Sequence, residues 1–120
     1  MSLTFGPSVR LRSRAEFTAV QDQGRRVATR YMILIGRPNT LDADRLGIIA
    51  SRRFGGAVMR NRAKRRFREI FRRQAPDAAK ARGDQPLDLV AIPRRDMLQA
   101  PLTVVEADFR AALRKLRGAR

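Results

Sequence analysis

The chain has 120 residues, with 27 Lys and Arg against 11 Asp and Glu, a formal net charge of +16 at pH 7 and a pI near 11.9. That length and a 43% hydrophobic fraction indicate one folded domain, residues 1–120, and the charge calls for a polyanionic partner. With no Cys there is no disulfide framework or thiolate metal site, and with no His the commonest general base and metal ligand is missing, so a protein-borne catalytic centre would rest on carboxylates, Ser/Thr, Tyr or Lys.

Residues 1–12 lack periodicity and read as a basic, partly ordered arm, with no apolar stretch that would make a secretory signal. Ser13-Arg14-Ala15-Glu16 matches a capping box. It opens a short helix to about Gln23, with Phe17 and Val20 on one face and Gly24 as its stop. Residues 25–29 form a short strand. Tyr31 to Ile35 is a continuous apolar run, as in a strand covered on both faces. It is far too short to span a membrane, which takes about 20 residues. After a polar turn at Arg37-Pro38-Asn39, Leu46 to Ser51 is the next strand, and the two are expected to pair as a hairpin. Gly55-Gly56 breaks the chain before a helix over about Ala57–Gln74. Pro76 suits the first position of a short helix that ends at Gly83. Leu87–Ile92 is a strand ended by Pro93. Thr103-Val104-Val105-Glu106 is a second capping box, opening a last helix with Val105, Phe109, Ala112, Leu113 and Leu116 on one face. The order describes an α+β domain with one sheet.

The segment 51–73, SRRFGGAVMRNRAKRRFREIFRR, carries ten basic side chains and one acidic one, net +9 in 23 residues. At 100° per residue, Met59, Ala63, Phe67, Ile70 and Phe71 fall on one buried stripe. Asn61, Arg65, Arg68 and Arg72 form a ridge on the opposite face, with Lys64 beside it. Arg62, Arg66 and Arg73 fall between ridge and stripe. Like charges three and four residues apart repel by a few tenths of a kcal/mol per pair. A polyanion converts that cost into phosphate contacts and counterion release. Free amides at the helix start, behind the two glycines, can add a phosphate contact.

Ser51 through Glu69 (SRRFGGAVMRNRAKRRFRE) resembles the RNR motif of the bacterial ribonuclease P protein subunit, and the similarity in order and spacing covers about residues 8–117. The resemblance implies a four-stranded sheet packed with helices in the order αβββαβα. It also implies a left-handed βαβ crossover, as in the ribosomal-protein and elongation-factor domain fold, against the usual right-handed rule. It implies a partnership with the ribonuclease P RNA, which removes the 5′ leader of precursor tRNA using Mg²⁺ and carries the catalysis, so that no catalytic or metal-binding residue is expected on the protein.

Carried over residue by residue, the RNA-subunit contacts would be Arg52, Arg53, Arg60, Asn61, Arg62, Lys64, Arg65, Arg68 and Arg72. The single-stranded leader would lie in a cleft between the first helix and the sheet, against Phe17, Val20, Gln21, Tyr31 and Ile35, with stacking on Phe17. Many members carry an aromatic just after the residue matching Val20. This chain has Gln21 there, an amide that can hydrogen-bond instead. The expected partners are the ribonuclease P RNA, at one protein per RNA, and precursor tRNA, in the cytoplasm and away from membranes. Composition alone leaves other readings open: an rRNA binder of the ribosomal-protein kind, a nonspecific DNA binder, or a protein-only nuclease. The last is disfavoured because no acidic cluster for a metal is visible.

Overall fold

The computed structural model describes residues 9–118. Its elements in chain order are α1 (Arg14–Gln23), β1 (Arg25–Ala28), β2 (Met32–Pro38), β3 (Arg45–Ile48), α2 (Ala57–Arg73), β4 (Leu87–Pro93) and α3 (Leu102–Leu116). Single 3-10 turns at Pro76–Ala78 and Arg95–Leu98 flank β4. The sheet order is β1-β2-β4-β3, antiparallel except for the parallel pair β3–β4.

This order corrects the expected hairpin. β2 and β3 do not pair, because β4 lies between them and bonds both, with Ile35 opposite Val90 and Gly47 opposite Val90. The hairpin is β1–β2, closed by Thr29, whose hydroxyl accepts the amides of Tyr31 and Met32 at 3.2 Å. The apolar run had promised a strand buried on both faces, and β2 and β4 are such strands. Alternate residues of each enter different cores.

The larger core holds Met32, Leu34, Leu46, Leu87, Leu89 and Ala91 of the sheet against Phe67, Ile70 and Phe71 of α2 and Val105, Phe109 and Leu113 of α3. The smaller one holds Ile35 and Val90 against Val20 of α1 and Leu11. Leu11 and Val9 are buried, and the Leu11 amide donates to the Leu46 carbonyl at 3.1 Å. Residues 9–12 are therefore docked along β3 and are not a loose arm; residues 1–8 of that expected arm lie outside the described residues.

The first capping box forms as its spacing dictates: Ser13 Oγ accepts the Glu16 amide at 3.1 Å and Glu16 accepts the Ser13 amide at 3.0 Å. Gly24 stops the helix, but its φ of −81° is ordinary. Glycine stands there because a Cβ would lie 2.5 Å from the Val20 carbonyl and 2.8 Å from Ile35 Cγ2. The second capping box does not form. α3 starts two residues earlier than that motif requires, after Pro101, so Thr103 and Glu106 are already inside the helix. Glu106 instead turns inward to accept from Arg73, Gln74 and Arg110. The helix expected after Pro76 is one 3-10 turn, entered through Ala75 in the left-handed region at φ 48°.

Candidate nucleic-acid interface

α2 has three working sides. Ala63, Phe67, Ile70 and Phe71 are buried, as their spacing requires. Met59, expected on the same stripe, is 37% exposed, since it lies in the first turn beyond the edge of the core. The flank toward α3 is structural. Arg66 donates to the carbonyls of Met97 and Ala100 at 2.8 and 2.7 Å, and Arg73 bridges Glu69 and Glu106 at 3.0 Å each. Arg72 bonds Glu69 at 2.6 Å, which holds that carboxyl below its ordinary range, and Arg60 donates to the Gly55 carbonyl at 2.9 Å.

That leaves Arg52, Arg53, Arg62, Lys64, Arg65 and Arg68, with Asn61, which make no hydrogen bond or ion pair to protein among the described residues. All but Lys64 are exposed, and Lys64 is half-buried. Of the nine expected RNA-subunit contacts, these seven therefore present unused polar groups, while Arg60 and Arg72 are tied to acceptors of the protein itself. Gly56 caps α2 with no side chain, so nothing from a capping residue covers its first amides.

The other flank of α2 faces α1. Lys64 and Arg68 line a groove of about 150 Å³ with Arg10, Leu11, Phe17, Leu46, Gly47 and Ile48. Phe17 lies flat over β3, and it can do so only because position 47 is glycine; a methyl there would run into Cε2 and Cζ of the ring. The helix that carries Phe17 is pinned by Arg45. This side chain bonds Glu16 at 3.0 Å and both Asp88 oxygens at 2.9 and 2.8 Å. These carboxylates hold the guanidinium protonated, with Asp88 the main cause. Glu16 in turn is held below its ordinary value, chiefly by the Arg12 and Ser13 amides.

α1 crosses the strands where Ile35, Val90 and Gly47 are neighbours. A helix is about 10 Å wide, whereas a seven-residue strand is about 23 Å long. A helix laid across the strands therefore covers only part of this sheet face. On this face Ile33, Ile49 and Ile92 stay half-buried, forming an apolar shelf beside Phe17. Arg30, Arg94 and Arg95 stand around an open cleft where β1 ends, beside Ala28, Thr29 and Asp96.

The expected leader contacts are scattered differently from their listing in sequence. Phe17 is half-buried at the groove and Gln21 is exposed, whereas Val20 and Ile35 are buried under α1. Tyr31 is not brought to this face. It precedes the first residue of β2, in the turn wound around Thr29, and it packs against the opposite core. Ile33, Ile49 and Ile92 were not singled out from sequence. An isoleucine in a continuous apolar run gives no sign of whether a helix lies over it. Among the described residues no three acidic side chains converge as metal ligands.

The sequence profile of the family described as Ribonuclease P matches residues 5–117. The ribonuclease P protein component of Thermotoga maritima is 38% identical over 97 residues, covering 81% of this chain and 79% of that protein. The solved structure of the T. maritima RNase P protein superposes with a TM-score of 0.72 at 32% identity, over 92% of this chain and 97% of that one. The Staphylococcus aureus RNase P protein superposes with a TM-score of 0.74 at 26% identity, over 89% of this chain and 94% of that one.

Proposed function

The chain belongs to the ribonuclease P protein family, and on that premise we infer that it serves tRNA 5′-end processing as the protein component that works with an RNA subunit. The observation that carries the detailed reading is the division of cations on α2. Some arginines are spent on protein acceptors, and a separate set, Arg62, Lys64, Arg65 and Arg68 with Asn61 on the packed helix and Arg52 and Arg53 in the turn before it, is left for phosphates.

In this reading the ridge binds the ribonuclease P RNA, one protein per RNA. The groove and shelf beside Phe17 receive the single-stranded 5′ leader of precursor tRNA, bases on the ring and the isoleucines and phosphates near Lys64 and Arg68. Arg60 and Arg72 join the RNA contacts only through the N–H donors their protein acceptors leave over. Val20 and Ile35 shape the cleft from beneath, Gln21 can hydrogen-bond a leader base from its rim, and Tyr31 supports the turn at its far end.

Cleavage is the work of the RNA subunit with Mg²⁺. The carboxylates of the chain do not make a cage for that ion among the described residues, and no step of bond breaking is assigned to a side chain. The protein supplies affinity and orientation: cations that offset phosphate repulsion between two RNAs, and a surface that fixes the strand leading into the scissile bond. The reaction belongs in the cytoplasm.

The test is reconstitution of the chain with a ribonuclease P RNA at low Mg²⁺, following removal of the leader from precursor tRNA. Stimulation over the RNA alone is expected. Absence of stimulation, or cleavage by the protein without RNA, would reject the reading.

A further inference from the structure

A second cationic surface lies away from both the ridge and the leader groove. Along α3 and its C-cap, Arg110, Arg114 and Arg117 are spaced i, i+4 and i+7, one row about 10 Å long. They line a groove of about 220 Å³ with Gln74, Arg82, Asp84 and Leu113, so four arginines face one acidic residue. Three of the four are pinned. Arg110 bonds the buried Glu106 at 3.1 Å and Arg117 the fully buried Asp44 at 2.6 Å. Arg82 bonds Asp84 and the Ala75 carbonyl at 3.1 and 2.6 Å. A guanidinium has five N–H donors, so each keeps donors beyond those bonds. Arg114 is exposed and makes no bond to the protein among the described residues.

The helix dipole accounts for cations in the last turn of α3, where Arg114 and Lys115 stand. It does not account for Arg110, which lies earlier, or for Arg82, which comes from the loop before β4. Nor does stability explain a row of like charges at helical neighbours, each pair costing a few tenths of a kcal/mol. Arg110 is held at the groove by the buried Glu106, Arg117 by the buried Asp44 and Arg82 by the partly exposed Asp84, so a phosphodiester backbone would meet guanidinium donors already in place. The groove starts at Gln74, directly after Arg72 and Arg73, so it continues the surface of α2 around the end of that helix.

We propose that the groove of Arg82, Arg110 and Arg114 is a second phosphate-binding surface for the RNA subunit, which wraps from α2 onto α3. The proposal rests on the reading of α2 as the RNA-subunit ridge.

The test measures binding of the full chain to ribonuclease P RNA across a KCl series for Arg114→Ala, Arg114→Glu, Arg114→Lys and Arg65→Ala. Arg114 touches no protein acceptor, so its replacements leave the fold in place. Arg114→Ala is expected to bind about 3- to 10-fold more weakly, with the slope of log K against log salt shallower by about one. Arg114→Glu is expected to lose more, and Arg114→Lys to restore the slope. Unchanged affinity and slope in Arg114→Ala and Arg114→Glu, with a loss in Arg65→Ala, overturns this surface and leaves the α2 reading standing; an acidic polypeptide as the true occupant would give that result. A wild-type chain that does not bind the RNA overturns both.

Discussion

The contact between Phe17 and Gly47 sets the shape of the groove proposed for the leader at the scale of single residues. The ring lies where a side chain on β3 would otherwise stand. Gly47→Ala should therefore push the ring off the strand at a cost of about 1–3 kcal/mol, the usual range for overpacking. Urea unfolding followed by circular dichroism measures that cost. Phe17→Ala should weaken the reconstituted enzyme's binding of precursor tRNA more than of mature tRNA. Equal loss for both substrates would make the ring a packing residue only. Gly47→Ala should shift precursor affinity in the same direction as Phe17→Ala, because both take the ring out of the groove.

At the scale of elements, α1 depends on its cap. Ser13→Ala removes the acceptor for the Glu16 amide and should cost about 1 kcal/mol. The acid dependence has a definite sign. Glu16 is held below its ordinary value of 4.5, first by the Arg12 and Ser13 amides, so its contribution is complete above that value and fades as pH falls through the lower folded value. Glu16→Gln should lower the melting temperature near neutrality, and the difference from wild type should close in acid below pH 4.5. A difference that persisted there would mean that charge on Glu16 is not what matters.

α2 separates by flank. Arg65→Ala should weaken RNA-subunit binding alone, whereas Arg68→Ala, which also opens onto the Phe17 groove, should weaken the precursor complex further. Binding titrations with the RNA subunit and then with precursor tRNA distinguish the two.

These elements also mark what the chain announces and what it hides. The Ser13–Glu16 box was legible because all its partners are local. Thr103–Glu106 has the same spelling and fails, because the helix starts two residues earlier, after Pro101, and Arg73 claims Glu106 from another helix. The buried stripe of α2 was legible from its period, and the ridge opposite it with it. Which arginines are free was not, since Arg60, Arg66 and Arg72 differ from their neighbours only in the acceptors that the fold brings to them. Strand pairing was misread for a related reason: β4 enters between β2 and β3 from some 40 residues away, and no local pattern in either strand records that.

The whole molecule carries its excess of positive charge on a small surface, so the free protein is held together against its own repulsion. A polyanion that binds the folded form should raise the melting temperature. At 100 times its dissociation constant the gain is about 2.7 kcal/mol, or roughly 10 °C for a domain of this size. Thermal scans with polyphosphate, against NaCl of equal ionic strength, measure the specific part. Equal shifts from both would reduce the effect to screening.

The place of β4 has a consequence for how the chain is made. Synthesis delivers α2 before Leu87–Pro93, and the seat for Phe67 and Phe71 is incomplete until that central strand arrives. A growing polypeptide that has just released its cationic helix at the ribosome, itself a polyanion, holds that helix with its apolar stripe still uncovered. The addition of β4 and then of α3 completes the cover of that stripe.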